Sequence, residues 1–315
     1  MHPKSIPALF ALGSAALIGP LTAQTPSGIQ RQVPEPPAPP EPPAPPEPPT
    51  GGLEGYGNVR TEKRLEKLAY GSKLWVKNRN GAIKVVGWDR EEVSLTAQIR
   101  DTEKRRVDLV ILHKGADLDI EAVFQQPRFS FNFGFVRSPF CEMTLQVPRK
   151  VLAYFRTVNG AINVRDLEGY ARVETSNGRI ELSDLKGEVM AETCNGRIEA
   201  RRLNARIKGS TSNGRIVLEN IEGGIQMDTS NGTIIAKNLD GWGEGISLET
   251  SNGGIEVELG KATGEIRVEN THGRLDIHLP GAQVIELDKH SAHLKIPGKQ
   301  QLIRLETTNG SIRVK

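Results

Sequence analysis

Carboxylates are the residues here with the most obvious chemical potential. Glycosidic bonds are cut between two convergent carboxyl groups, one of them kept protonated, and the sequence is rich in acids. Their positions follow a rhythm. Glu174, Glu192, Asp228 and Glu249 fall at one place in a repeating unit, and Glu181, Glu199, Glu256 and Asp276 at another. A residue that recurs in every unit serves the unit, not one reaction. Four histidines, His272, His278, His290 and His293, lie within 22 residues. A zinc site needs a third and usually a fourth ligand at close spacing, and no such spacing is present. They read as strand and turn residues facing solvent. There is no nucleophile elbow, phosphate-binding glycine loop or paired-histidine metalloprotease motif. The sequence therefore predicts no catalytic, cofactor-binding or metal-ligating residues. A carbohydrate-active β-helix enzyme is kept as a distant alternative.

The elements that carry these residues are repeats. TSNGRIEL (175–182), TCNGRIEA (193–200), TSNGRIVL (211–218), TSNGTIIA (229–236) and TSNGGIEV (250–257) are copies of one unit. Their asparagines, with Asn159 before them, are Asn177, Asn195, Asn213, Asn231 and Asn252, spaced by 18 four times and then by 21. Looser copies are NTHGRLDI (270–277), KHSAHLKI (289–296) and TTNGSIRV (307–314), the last contributing Asn309; NRNGAIKV (78–85) is an early outlier. A fixed period of this length signals a repeat architecture. Within a unit the pattern alternates. Val173, Thr175, Ile180 and Leu182 share one face, and Glu174, Arg179 and Glu181 the other. That is the pattern of short strands with one buried face. A second corner recurs at Asp166, Asp184, Asn220 and Asn238, each three residues before a glycine.

Asn-Gly between strands is also the strongest hairpin signal, so a meander of hairpins competes with a solenoid. The solenoid is preferred because the same residue types recur in the same columns, including the Thr and Ser before the corner. Stacked at about 4.8 Å, the column Asn159, Asn177, Asn195, Asn213, Asn231, Asn252 and Asn309 would form a ladder of amide hydrogen bonds. The isoleucines beside it would form a thin continuous core. The predicted fold is all-β: a β-solenoid of about 18-residue coils with Asn-Gly corners and a less regular N-terminal β cap.

The rest of the chain divides by composition. Residues 1–23 read as a signal peptide, with an apolar stretch over 8–18 and small residues before a cleavage point after Ala23. Residues 24–53 read as a proline-rich disordered stalk, since eleven of the 20 prolines lie between 33 and 50. A polyproline II run of that length is a semi-rigid spacer of about 50 Å. Residues 54–150 read as an N-terminal β cap with divergent first coils, and 151–315 as the regular solenoid. No transmembrane segment is expected in the mature chain. The expected location is exported: periplasmic, cell-surface or extracellular. A net charge of +3 gives no reason to expect nucleic acid as a partner. Cys141 and Cys194 lie 53 residues apart, about three coils, and read as two free, shielded thiols.

Two surface features are candidate binding sites. Phe129, Phe131, Phe133 and Phe135 alternate along one strand. They read either as a cap over the core or as an aromatic platform for sugar rings. Arg179, Arg197 and Arg215 follow the corner in successive units and read either as a salt-bridged face or as a binding column. One end is exposed to assembly. The chain's last repeat, TTNGSIRV, reads as an uncovered edge strand, so self-association through the C-terminal edge is an alternative function, guarded by Arg304, Arg313 and Lys315.

The run LWVKNRNGAIKVVGWD (74–89), a later strand ending LQVP (145–148), and serial TxNGxI units resemble the bacterial "putative adhesin" family, a domain of unknown function with SNG repeats. The resemblance spans roughly residues 70–315. It implies a β-solenoid fold and an envelope location, and brings no catalytic residues with it. This chain departs from the pattern at His272 and Ser291 in the Asn column and Ala292 in the Gly column. The resulting reading is a secreted or cell-envelope, non-enzymatic, adhesin-like solenoid presenting repeated surface columns to an envelope glycan or a surface protein.

Overall fold

Period-two alternation of buried and exposed side chains fills the chain with strands. The structure, a computed structural model, describes residues 59–102, 105–125, 138–241 and 243–315, and every regular element among them is a β-strand, numbered β1 to β24 in chain order. The expected signal peptide (1–23), the expected stalk (24–53) and the phenylalanine run at 129–135 lie outside the described residues. Leu53–Lys315 forms one compact unit.

One coil shows how the repeat folds. In β10 (Glu168–Asn177), Ala171, Val173 and Thr175 point inward. The chain turns at Asn177-Gly178, and β11 (Ile180–Ser183) sends Ile180 and Leu182 into the same core. Asp184 and Leu185 make the second corner, with Leu185 buried. The next strand, β12 (Lys186–Thr193), then lies parallel on β10, placing Thr193 on Thr175. The Asn-Gly pairs are thus corners of a parallel stack and not hairpin turns. Successive coils build two facing sheets. The first contains β8 (Lys150–Asn159), β10, β12, the second half of β13 (Ile198–Thr211), β15 (Ile225–Thr229) and β17 (Ile246–Asn252). The second contains β9 (Ile162–Arg165), β11, the first half of β13, β14 (Ile216–Glu222), β16 (Ile234–Asp240) and β18 (Ile255–Glu258). Ile162, Ile180, Ile198, Ile216, Ile234 and Ile255 stack in register, each at most 1% exposed.

The corner residues have separate physical jobs. Glycine is required by close approach: a Cβ on Gly178, Gly196 or Gly214 would lie 1.8–1.9 Å from the carbonyl oxygen of the glycine one coil earlier. None of these three has a left-handed φ. The buried threonine two residues before the asparagine donates its hydroxyl to that same carbonyl, as Thr193 does to Gly178 at 3.2 Å and Thr211 to Gly196 at 3.0 Å. The second corner is different. Asp166, Asp184, Arg202, Asn220 and Asn238 all have φ between 52° and 60°, a region that Asn and Asp tolerate better than other side chains.

Both ends of the stack depart from sequence order. β2 (Lys73–Lys77) and β3 (Ile83–Trp88), from the early NRNGAIKV copy, stack directly on β8 and β9. β6 (Asp117–Phe124) and β7 (Phe140–Pro148) lie parallel outside them. Antiparallel strands close this end: β5 (Val107–Lys114) on β6, β4 (Glu92–Arg100) on β7, and β1 (Val59–Lys67) on β4. At the other end, β19 (Gly264–His272) and β20 (Leu275–Ile277) do not touch the coil that precedes them in sequence. β23 (Leu302–Asn309) and β24 (Ile312–Val314) lie between, pairing with β17 and β18 on one side and with β19 and β20 on the other. β22 (Ser291–Ile296) runs antiparallel to β19, and β21 (Gln283–Leu287) antiparallel to β22.

Two expectations are corrected by this arrangement. The KHSAHLKI copy is not a coil but an antiparallel capping strand; Ala292 carries the Cβ that the glycine contact forbids. The TTNGSIRV strand is not an uncovered edge. It is paired on both sides because it carries a complete corner code, whereas the NTHG copy, with His272 in place of the amide, takes the outer position. Arg313 donates to Asp276 at 2.9 Å and Lys315 lies 3.5 Å from Glu256, so these charges bind neighbouring coils instead of guarding an end.

The glycine constraint is testable by melting temperature. Gly196→Ala forces a methyl into a backbone oxygen, and overpacking of this kind costs about 1–3 kcal/mol or more. Gly254→Ala is the control: its nearest neighbour is Ser311 O at 3.2 Å, and its φ is not left-handed. The first variant is expected to melt well below the second.

Candidate binding groove on the first sheet

The asparagine column forms a continuous side-chain ladder. Asn177 donates to Asn159 Oδ1 at 2.9 Å, Asn195 to Asn177 at 2.9 Å, Asn213 to Asn195 at 2.8 Å and Asn231 to Asn213 at 3.0 Å. Asn252 donates to Asn231 at 2.9 Å, and Asn309 to Asn252 at 2.8 Å. All the bonds run in one direction, so each amide polarises the next. The ladder follows space and not sequence, since Asn309 follows Asn252 directly. At its amino-terminal end Asn80 bridges to Asn159 through backbone but donates its side chain to Pro139 O at 2.6 Å.

Beside the ladder, an open groove of about 980 Å³ runs along the outer face of the first sheet. Two outward columns line it, with the buried threonine column at its floor. One is hydroxylic, with Ser176, Ser212, Ser230, Ser251, Thr308 and Thr271, interrupted by Cys194. The other is acidic, with Glu174, Glu192, Asp228, Glu249, Glu306 and Glu269. Strand register sets the order of the acids: Asp228 lies beside Glu249, Glu249 beside Glu306, and Glu306 beside Glu269.

The two halves of the groove differ in charge compensation. Glu174 is paired with Arg172 and lies 3.8 Å from Arg156; Glu192 lies 3.4 Å from Arg172. In the other half Glu306 is paired with Arg304, while Glu249 accepts only from Ser247, at 3.2 Å. Asp228 and Glu269 have no ion pair among the described residues. Burial, and then the charge of Glu249, push the Asp228 carboxyl above the ordinary aspartate range. Among the described residues no group of His, Cys, Asp and Glu could hold a metal ion. Cys194 is exposed in the groove, which corrects the expectation of a shielded thiol. Cys141 is buried, and burial followed by the charge of Glu62 pushes its thiol up to about 12, so it stays protonated. Both cysteines are free.

The arginine column lies on the second sheet, past the corner from the groove. Arg179 donates to Glu181 at 2.9 Å and Arg197 to Glu199 at 2.7 Å. Arg215, followed by Val217 where the others have glutamate, is exposed and has no ion pair among the described residues. Two of these three cations are therefore already neutralised by their own strands. The histidines do not converge. His293 lies 2.8 Å from Glu265, His290 lies 2.9 Å from Asn270 Oδ1, and His272 ends the asparagine column. An aromatic surface exists among the described residues. Trp75, Tyr154 and Tyr170 line up on the outer face of the first sheet, with centroids 5.4 and 5.5 Å apart. Trp75 and Tyr154 stack face to face, so their facing surfaces are used on each other.

Sequence reading passed over the groove because it treated the acids only as a repeated column. For four of the acids the residue two positions upstream tells the halves apart. Arg172 precedes Glu174 and Arg304 precedes Glu306, but Gln226 precedes Asp228 and Ser247 precedes Glu249.

The Toastrack DUF4097 family model matches residues 72–315, which hold all but the first strand of this stack. The chain belongs to the Toastrack DUF4097 family. No curated protein matches it in sequence. Three solved structures resemble it in shape. A "putative lipid binding protein" from Parabacteroides distasonis is 15% identical, with 82% of this chain and 98% of that one covered and a TM-score of 0.43. A "putative adhesin" from Bacteroides fragilis is 10% identical, covering 81% and 97%, with a TM-score of 0.35. A "putative cell adhesion protein" from Clostridium sporogenes is 12% identical, covering 81% and 99%, with a TM-score of 0.27. Scores this low carry no argument about what a Toastrack chain binds. Among the described residues no helix is long and apolar enough to cross a membrane.

The raised pKa of Asp228 gives a signed prediction. A carboxyl whose folded pKa lies above its unfolded one favours folding fully below the unfolded value, near 3.8, and that contribution is lost as pH rises through the folded value. Asp228→Asn is therefore expected to raise the melting temperature at pH 7 and to leave it unchanged at pH 3. An equal shift at both pH values would assign the effect to something other than ionisation.

Proposed function

We propose that this chain is an exported, non-enzymatic, adhesin-like protein of the cell envelope, and that it uses the groove to hold an extended glycan or protein segment. The observation that carries this reading is the groove itself. It spans successive coils, and those from Glu174 to Glu269 contribute the same pair of outward groups, a hydroxyl in every coil but that of Cys194 and a carboxylate in every coil but that of Ser210. Repeated polar groups at the strand spacing of about 4.8 Å suit a polymer better than a compact ligand. The carboxylates recur in register from coil to coil along the groove. The resemblance of the TxNGxI units to an adhesin-like family and the signal-like first 23 residues support the location. The arginine column, left with Arg215 as its unpaired member, and the phenylalanine run remain secondary candidate surfaces.

The reading makes two measurable claims. Ser230→Trp, an exposed substitution at the middle of the groove, should abolish capture of envelope glycans or surface proteins at unchanged melting temperature. Arg215→Ala should leave capture intact; the opposite pattern would move the site to the arginine face. The native protein should begin near Gln24 and lie outside the cytoplasm. Mass spectrometry that finds Met1 retained on a cytosolic protein would refute export.

A further inference from the structure

The slot filled by β23 and β24, like the one filled by β2 and β3 at the other end, is occupied out of sequence order. Between β8 and β18 each coil lies on the coil that precedes it in sequence. After β18 the chain crosses residues 259–263 and starts β19 one coil too far along, leaving a gap. That gap is filled only by a segment more than 40 residues downstream of β18, after β19 to β22 have been laid down. The slot has two complete strand walls. β17 and β19 pair with β23 over Ile303–Asn309, and β18 and β20 pair with β24 over Ile312–Val314. Ile303, Leu305, Ile312 and Val314 are fully buried in it. Thr307 donates to Gly253 O at 2.9 Å and Asn309 to Asn252 at 2.8 Å. An empty slot would expose two unpaired edges and their apolar columns at once, a strong template for another strand.

We propose that Leu302–Lys315 is an exchangeable strand pair, and that the slot of one copy accepts the same segment from a second copy, giving a domain-swapped dimer. The strand pairing, the buried columns, the Thr307 and Asn309 bonds and the Arg313–Asp276 and Lys315–Glu256 ion pairs that hold the segment all run to the walls of the slot, so a second chain's segment makes the same contacts. Only the connection from β22, residues 297–301 (Pro-Gly-Lys-Gln-Gln), must change. In the closed form it crosses the end of β19, because β22 and β23 lie on opposite sides of that strand. Five residues span at most about 17 Å. Short hinges that must double back are the ones that open into exchange. This differs from assembly at an open end: the acceptor is an internal slot, and a swapped pair closes on itself.

The test uses two full-length variants, Ser247→Cys and Arg304→Cys, each in a Cys194→Ser background. Ser247 and Arg304 are register partners on β17 and β23, at a separation a disulfide can bridge. The two variants are mixed, co-unfolded, refolded at high concentration and oxidised. Exchange predicts a covalent heterodimer linked 247 to 304, identified by peptide mass. Its yield should rise with concentration and fall several-fold when Gly-Ser-Gly is inserted after Gly298. Absence of that linkage, in variants that melt like the parent, overturns the proposal. If the variants fold poorly, light and heavy isotopic forms of the unaltered chain serve instead. After co-refolding, native mass spectrometry should show dimers of mixed mass, and monomers alone would refute exchange.

Discussion

At each Asn-Gly corner the backbones of successive coils approach so closely that the next glycine has no room for a Cβ. The whole molecule is built around that contact. It fixes glycine at Gly160, Gly178, Gly196, Gly214, Gly232, Gly253 and Gly310, each with a would-be Cβ 1.8–2.1 Å from the preceding coil's carbonyl. It also sets the position of that carbonyl, which the buried threonine two residues ahead of the next asparagine bonds. The asparagine then ties the same corner from the outside. A three-residue code thus satisfies the sterics, the buried polar group and the register together, and the isoleucine and leucine columns follow in phase. Because side-chain period is two, a slip by one residue would expose all of them. The corner is what forbids the slip.

This division of labour explains where variation is free. Inward positions answer to the neighbouring coil above and below. Outward positions answer only to solvent and to whatever lies on the face. The groove uses that freedom. At Asp228 and Glu249 the residues two positions upstream are Gln226 and Ser247, so the carboxylates lie side by side without an ion pair among the described residues, and Asp228 is partly buried as well. At the arginine face the opposite choice is made, and Glu181 and Glu199 absorb the charge of Arg179 and Arg197. The exposed Arg179–Glu181 pair contributes little to stability, whereas Glu199 is buried, and removing Arg197 would strip a buried carboxylate of its first partner.

The strands, the columns and the amide ladder were legible in the sequence because each coil states them again. What was not legible was which coil lies on which. A TxNG unit fits any slot whose walls are TxNG units, so adjacency in sequence is only a default. The default fails where a copy is degenerate. NTHG at 270–273 has an imidazole that cannot continue the amide ladder, and KHSAHLKI has Ala292 where a Cβ is excluded. TTNG at 307–310 satisfies both neighbours and moves inward. The groove was hidden for a related reason: charge compensation in the acid column depends on neighbouring coils as well as on the strand, since Glu192 is paired with Arg172 of the coil before it while Arg267, two residues before Glu269, turns to Glu265. The positive-φ corner was visible at Asp166, Asp184, Asn220 and Asn238, but Arg202 disguises the fifth member, and its side chain instead forks onto Asp184 at 2.7 and 2.8 Å.

The inserted segment also changes how stability is distributed. In a solenoid stacked in sequence order, each coil contacts its immediate neighbours, so stability sums over local units and the ends can fray alone. Here β23 and β24 join β17 and β18 to β19 and β20, so the carboxy-terminal coils cannot form one by one. The first edge to be covered, on β18, waits for the last described strand. Loop closure over that distance carries an entropic cost that sequential stacking avoids. In return the end of the stack is locked by a strand with partners on both sides, and the weakest copies of the repeat sit outside it as a cap. The same nonlocal pairing that makes the distal coils slow to assemble makes them resistant to fraying once assembled.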